Sequence, residues 1–498
     1  MDAAPEVAPR PITQPDPLPQ EQWVISIREK LKKAQQYAAE RPWEKWCIYR
    51  VPRRLRDVQD TRKAYVPQTV SIGPYHLGGE QVRDIGCHKW VALNHILELT
   101  GQDFSLYLDS IKAVEEKART YYKEEFVHLS SNMFVEMMVL DGCFILELFR
   151  SYPRAGDMGN PVFTKQKIID DILLDMVKLE NQIPFFIIDK LLRLMCMTGN
   201  PDEHQKDQAI ALALNFFNPE WLTGKPMSTR EFNEMKFSLQ QEECLHLLDV
   251  FRRSLLHAGP QQDTNDRHAF PRRVCNGLVT GFLKRWLHDS LFLGYLKRRL
   301  HANRAPKRVS RHGQIIHSVT QLREGGVKFR KWNTNCFWDI RFKNGVLEIP
   351  TIWIQDSTMT ILLNVAAFEH CHLKISDAVI ASYMVFMECL IKSPEDVSHL
   401  HRCGILQHLL GHDSEVVDMF KNISKEILVD AQNGHYAKLS EQVNAYYNQK
   451  SNRWRASLLH KYFNNPWAIT SLVAAFILLL LTALQSFYAI YSYYRPSS

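Results

Sequence analysis

The chain has 498 residues, of which 45% are hydrophobic and 23% are charged, and its formal net charge is +7. This length and composition supply one large hydrophobic core or two smaller ones. The modest positive charge favours anionic lipid as a partner without calling for nucleic acid. The 10 cysteines form no Cys-x-x-Cys pair, which excludes zinc-finger spacing and a small disulfide framework and fits a reducing compartment.

The first helix is predicted just after an N-terminal tail. Residues 1–22 are rich in proline and polar residues, which predicts disorder, and they lack the charged-then-apolar pattern of a signal peptide. From residue 23 to residue 40, apolar side chains recur at three- and four-residue steps, which predicts a helix. The apolar positions are Trp23, Ile27, Leu31 and Ala34.

A constrained loop is predicted around Gly73 and Pro74, because this pair marks a turn. Tyr75 and His76 follow directly. Their side chains are suited to a structural hydrogen bond or to a ligand contact.

The segment that begins at Ser131 is apolar on every side of a helix, and we predict that it is the central core helix. Asp141 lies in the middle of this segment. An unpaired buried charge is costly, so Asp141 needs a partner, and Lys89 and His76 are the candidates.

Three polar residues precede Pro184, which breaks or kinks the helix predicted from Lys165 onwards. A kink frees backbone carbonyl groups. The three side chains therefore either donate hydrogen bonds to these carbonyl groups, which is the favoured interpretation, or bind a ligand. The predicted polar cluster, structural or ligand-binding, consists of Tyr75, His76, Lys89, Asp141 and the triplet Glu180, Asn181 and Gln182.

We predict two helical halves, 23–257 and 326–463, that are joined by a polar linker at 258–275 and a basic helical connector at 276–325. The connector interleaves cations with aromatic residues. This connector either binds an anionic membrane surface or is a solvated connecting helix. Nucleic acid is the least favoured partner. The cations predicted to contact an anionic surface are Lys284, Arg285, Lys297, Arg298 and Arg299.

The second half opens with a small β element. Apolar alternation appears at 327–332, 337–342 and 345–349, and Asn344-Gly345 is a hairpin turn signal. Helices resume near residue 360. The predicted fold class is therefore mainly α: a multi-helix globular body with a small β-hairpin or sheet insertion and one C-terminal transmembrane helix.

The transmembrane helix is predicted over 464–494, with a short tail at 495–498. Pro466–Tyr494 contains no Asp, Glu, Lys, Arg or His, and it exceeds the ~20 residues that a membrane span needs. Lys and Arg are more frequent before it than after it, which predicts a single-pass plasma-membrane or endomembrane protein with a cytosolic body. Asn422 begins an Asn-Ile-Ser acceptor that is glycosylated only if this region is lumenal.

No common reaction motif is present, since the sequence lacks a phosphate-binding loop, a zinc-protease helix and a nucleophile elbow, and we predict no cofactor and no metal. We therefore predict a non-enzymatic recognition or signalling protein that is tail-anchored in a membrane and binds a protein partner. The alternative is a membrane-bound, acyltransferase-like enzyme in which His372 is the base and Asp377 completes a His-x4-Asp pair. One such match is expected by chance in a chain with 20 histidines.

Several motifs, in order from about Cys47 to the end, carry a family resemblance. They are SIGPYH (71–76), LDGCFILEL (140–148), LENQIPFFII (179–188), GVKF (326–329), LEIP (347–350) and a terminal PW followed by an apolar tail. With them the chain resembles the plant "domain of unknown function 247" family. The resemblance implies a plant, largely helical, membrane-anchored protein. Members are implicated in grass self-incompatibility as pollen-side determinants, a role that belongs to particular loci, and the family offers no catalytic residues to transfer.

Overall fold

The computed structural model describes residues 20–40, 45–52, 62–79, 85–152, 166–196, 206–217, 228–257, 315–334, 336–374, 377–426, 434–449 and 466–494. Within them the chain forms 18 helices and five short strands, which confirms a mainly helical fold with small sheets. The chain divides into two compact units. The first contains residues 1–216 and 242–250, and the second contains residues 217–241 and 251–498.

The regular elements of the first unit are helices. They are α1 (Gln20–Glu40), α2 (Arg62–Tyr65), α3 (Gly86–Thr100), α4 (Phe104–Lys112), α5 (Glu115–Thr120), α6 (Ser131–Ser151), α7 (Gln166–Met176), α8 (Phe185–Cys196) and α9 (Lys206–Phe216).

Helix α6 is the core of this unit, as its sequence predicts. It buries 15 of its 21 residues, and it packs against α3, α4 and α8. Ser130 caps its first turn by accepting a hydrogen bond from the backbone N–H of Met133. A helix that is apolar all round is stable only when neighbours cover every side, which explains its central place.

The helix predicted from Lys165 onwards begins at Gln166 and ends at Met176. Pro184 directly precedes α8, whose first backbone N–H, from Phe185, donates to the carbonyl of Leu245 at 2.9 Å. The proline therefore starts a new helix after a polar turn.

The second unit combines helices with strands. Its elements are α10 (Thr229–Gln241), the part of α11 (Leu247–His257) from residue 251 on, α12 (Val319–Glu324), β1 (Lys328–Trp332), β2 (Arg341–Lys343), β3 (Val346–Pro350), β4 (Ile352–Ile354), α13 (Asp356–His372), α14 (Val379–Leu390), α15 (Pro394–Arg402), β5 (Leu406–His408), α16 (Asp413–Glu426), α17 (Ala437–Tyr447) and α18 (Pro466–Tyr494).

The strands form two small sheets. In one, β3 lies between β1, which is parallel to it, and β2, which is antiparallel. Asn344 and Gly345 join β2 to β3 with φ angles of 53° and 76°, which confirms the predicted hairpin. The alternation at 337–342 predicted too long a strand, because Asp339 closes a turn onto Cys336 and β2 begins only at Arg341. The parallel β4–β5 pair was not predicted.

A buried ion pair links three helices of the second unit. The Glu369 carboxylate on α13 has no exposed surface and accepts a hydrogen bond from Nε of Arg252 at 2.8 Å. It also accepts bonds from the backbone N–H groups of Ile380 (3.3 Å) and Ala381 (2.8 Å) on α14. Burial raises the pKa of Glu369 above its usual value, and the arginine opposes the shift.

Helix α18 covers the segment predicted as the membrane anchor. Its described side chains, residues 474–488, are all exposed. Among the residues whose placement is described, no helix is both long enough and apolar enough to cross a membrane. The transmembrane part of the predicted fold therefore remains a prediction.

Candidate functional site

The predicted polar cluster comes together in the first unit, where it surrounds the loop of residues 66–76. Lys89 is on α3, Asp141 is on α6, and the triplet of residues 180–182 forms the turn between α7 and α8. Five of these residues are almost fully buried. Buried polar atoms need partners, so the hydrogen bonds that each side chain makes indicate its role.

The first part of the loop is held by a carboxylate that sequence reasoning missed. Asp175 lies at the end of α7, is 1% exposed, and pairs with Lys178 at 2.9 Å. Its oxygens accept bonds from three consecutive backbone N–H groups, those of Gln68 (3.0 Å), Thr69 (2.6 Å) and Val70 (2.9 Å). The signal in the sequence is an acidic residue in an apolar helix, the same signal that identified Asp141.

The second part of the loop is held by Asn181 and Asp141. Asn181 accepts from the N–H of Ile72 at 2.6 Å and donates to the carbonyl of Val70 at 3.0 Å. Asp141 accepts from the N–H of Gly73 at 2.7 Å. These bonds replace the strand partner that the extended loop lacks.

Lys89 is the cationic partner of Asp141, one of the two candidates named from the sequence. Its ammonium group contacts both the Asp141 carboxylate and the carbonyl of Ser71. Burial raises the pKa of Asp141, whereas Lys89 and the Gly73 N–H lower it.

His76, the other candidate, lies next to Glu180 instead. Its Nε2 is 2.9 Å from the Glu180 carboxylate, and the other oxygen of that carboxylate accepts from the N–H of Val51 at 2.8 Å. Tyr75 is buried in an edge-to-face cluster with Tyr122 and Phe126. Burial raises the pKa of the Tyr75 phenol, so it stays protonated at neutral pH.

Gln182 connects the α7–α8 turn to neighbouring backbone by hydrogen bonds. Its Nε2 donates to the carbonyls of Met176 (2.6 Å) and Lys178 (2.8 Å), and its Oε1 accepts from the N–H of Leu248 at 3.0 Å. Its own carbonyl accepts from the Tyr122 hydroxyl at 3.0 Å. These bonds connect the turn to the end of α7 and to the start of α11.

These contacts direct most of the cluster's polar atoms toward its own backbone. Chemically, the cluster fixes an irregular loop against α6 and the α7–α8 turn. Buried hydrogen bonds of this kind rigidify the backbone segments that they connect.

An open groove lies on the same unit, between α3, α4 and α6, and we call it the α3–α4–α6 groove. Its volume is about 750 Å³. Its floor is apolar, and its rim carries polar and charged groups. The lining residues are Trp90, Leu93, Asn94, Leu97, Phe104, Leu108, Asp109, Lys112, Asn132, Val135, Glu136, Val139 and Leu140.

The groove combines exposed aromatic residues with a buried floor. Trp90 is 52% exposed and Phe104 is 56% exposed, whereas Val135 and Val139 are buried. Trp90 shares a face of α3 with Leu93 and Leu97, which also line the groove. Large exposed apolar side chains around a concave surface are typical of a binding site.

The two residues of the acyltransferase-like alternative lie at the end of α13 and just before α14. His372 ends α13, where its ring stacks on Phe368 at 5.2 Å between centroids. The backbone carbonyl of Asp377 accepts a bond from Arg252 at 2.9 Å. No group of three His, Cys, Asp or Glu residues with metal-binding geometry occurs in the part of the chain that is described.

The remaining predicted sites are only partly described. Lys284, Arg285, Lys297, Arg298 and Arg299 lie outside the described residues. The glycosylation acceptor Asn422 lies within α16 and is half-buried.

The fold and the groove define a mainly helical protein whose first unit holds an irregular loop on a buried polar cluster. The chain belongs to the family of plant proteins of unknown function known as DUF247, whose model matches residues 48–481. It is similar to the Arabidopsis thaliana UPF0481 protein At3g47200, with 30% identity over 90% of this chain and 87% of that protein. It is also similar to the Arabidopsis thaliana putative UPF0481 protein At3g02645, with 23% identity over 94% of this chain and 95% of that protein. No solved structure matches the chain.

Proposed function

We propose that this chain is a non-enzymatic recognition protein and that its α3–α4–α6 groove binds a helical segment of a protein partner. The observation that carries the proposal is the groove itself, with its apolar floor and its exposed Trp90 and Phe104. An amphipathic helix binds by laying apolar side chains into such a groove between helices.

The chemistry of the rim supports a peptide over a metabolite. Asp109 and Glu136 place carboxylates beside the apolar floor, and Lys112 adds one cation. Aromatic anchors inside a polar border are the usual anatomy of a protein interface. The groove has no buried catalytic pair, so binding is the chemistry its side chains offer.

Membrane tethering is the second part of the proposal. The sequence of α18 is free of charged residues, and its described large apolar side chains, such as Phe476 and Leu479, are exposed. Placed in a bilayer, this helix raises the local concentration of the recognition body for partners at the same membrane. The charge bias on its N-terminal flank supports a cytosolic body. A part in self-incompatibility is an extension supported by the family resemblance alone.

The experiment is proximity labelling from the full-length chain in plant tissue, in three forms: native, Leu108→Glu and Leu99→Glu. Leu108 lines the groove, whereas Leu99 is an exposed leucine on α3 outside it. We expect Leu108→Glu to remove at least one labelled protein that native chain and Leu99→Glu both label. Identical protein sets in all three forms would contradict the proposal.

A further inference from the structure

Helix α1 carries an apolar stripe that no described element covers. Trp23 is 56% exposed, Ile27 is 36% exposed and Leu31 is 58% exposed. At 100° per residue, these positions fall on one face of the helix. Exposed side chains of this size on one face mark a docking surface.

The stripe and the α3–α4–α6 groove match in length. Trp23 to Leu31 and Phe104 to Lys112 each span eight residue steps, which gives ~12 Å for each at about 1.5 Å per residue. The stripe therefore fills the groove with about two helical turns.

Their charges are also complementary. Arg28 and Lys30 border the stripe on its two sides, as the helical rotation per residue places them. Asp109 and Glu136 stand on the rim of the groove. Opposite charges along the border of an apolar contact fix the register of the docked helix.

We propose that α1 of one chain docks in the α3–α4–α6 groove of a second copy of this chain. Within one molecule, the stripe and the groove are both exposed, so α1 does not lie in the groove of its own chain. Reciprocal exchange of α1 between two copies covers both surfaces on both molecules and closes as a two-fold dimer. This inference rests on the proposed function, because it names an occupant for the same groove.

Disulfide trapping in the full-length chain in mild detergent tests the dimer. One chain carries Leu31→Cys, a second chain with a different affinity tag carries Leu108→Cys, and both carry Cys87→Ser to remove an exposed native thiol. We expect a covalent heterodimer on a non-reducing gel after mild oxidation. The matched control replaces Leu31→Cys by Ile25→Cys, which is exposed on the opposite face of α1 and should give at least fivefold less product.

A heterodimer yield no higher than in the Ile25→Cys control overturns the inference. So does an internal disulfide in a single chain with both cysteines when the mixed chains give none, because α1 then docks in its own chain. Sedimentation gives a second readout: Trp23→Glu should convert dimer to monomer, whereas Ile25→Glu should not, and equal dimer in both also overturns it. If α1 fails these tests while Leu108→Glu still loses a labelled partner, the proposed function stands and only this occupant is wrong.

Discussion

At the scale of single residues, Gly73 shows how closely the loop of residues 66–76 approaches the α7–α8 turn. Its φ is +74°, and a Cβ atom there would overlap the backbone carbonyl oxygen of Gln182. Gly78 has nearly the same φ, +76°, but no atom within 4 Å of the Cβ position. The two glycines therefore separate the effect of backbone conformation from the effect of close packing.

We expect Gly78→Ala to lower the free energy of unfolding by about 1 kcal/mol, the cost of a left-handed backbone conformation. Gly73→Ala adds a backbone overlap and should cost ~2 kcal/mol more. Denaturant unfolding of the two variants measures the difference. Equal losses would mean that the loop does not pack on the α7–α8 turn as described.

The Lys89–Asp141 pair predicts a pH dependence. Lys89→Met leaves a buried carboxylate without its cation and should cost ~3 kcal/mol or more at neutral pH. Burial already raises the folded-state pKa of Asp141 above 3.8, and loss of Lys89 raises it further. The folded variant then binds a proton that the unfolded chain releases, so its stability falls as pH rises through this window.

The control is the double variant Lys89→Met with Asp141→Asn, which has no titrating carboxyl at this position. The stability of Lys89→Met relative to this control should decrease from pH 4.5 to pH 7, measured by denaturant midpoints. A constant difference across that range would show that the two side chains are not coupled.

Asp141 stands out in the sequence because it lies in an apolar helix, whereas Tyr75 and His76 are singled out by the turn at Gly73 and Pro74. Asp141 needed a partner, and Lys89 was one of two candidates. Asp175 and Lys178 were missed because the backbone groups they contact lie more than 100 residues earlier in the chain: N–H groups for Asp175, and the carbonyls of Lys63 and Val66 for Lys178. An acidic residue in an apolar helix signals that a partner is needed, but no local pattern shows which groups supply it.

At the scale of elements, the ion pair between Arg252 and Glu369 joins α11, α13 and α14. Both side chains are largely buried, at 11% and 0% exposed. We expect Glu369→Gln to lower the free energy of unfolding by ~3 kcal/mol, because it leaves the arginine charge buried without its counter-ion. Denaturant unfolding followed by hydrogen exchange at residues 379–381 reports the loss locally.

The matched control is Asp189→Asn, which breaks the more exposed pair with Arg193 within α8. Exposed pairs on one helix contribute about 0.5 kcal/mol or less. A Glu369→Gln variant as stable as Asp189→Asn would contradict the role assigned to the buried pair.

Element prediction succeeded where periodicity was long and failed where it was short. The 21-residue α6 and the Asn344-Gly345 hairpin follow from local pattern and turn chemistry. Strands β4 and β5 have three residues each and pair across 51 intervening residues, so no local signal identifies their pairing. Helical spacing places Trp90 on an apolar face without showing what covers that face.

At the scale of the whole molecule, the proposed membrane tether is tested by alkaline carbonate extraction of plant membranes. We expect the native chain to stay in the pellet, because an inserted apolar helix resists carbonate. A chain in which Leu479 and Leu480 are both replaced by Asp should move to the supernatant. Release of the native chain would contradict the membrane tether. It would not bear on the proposal that the groove binds a helix.

Groove occupancy is the claim on which the recognition function depends, and photo-crosslinking in the full-length chain tests it most directly. A photoreactive amino acid replaces Leu108 inside the groove or Leu99 outside it. We predict that position 108 yields crosslinks to a peptide segment with apolar residues four positions apart and that position 99 yields none. Equal products from both positions, or small-molecule adducts at position 108 without any peptide, would contradict a helix-binding groove.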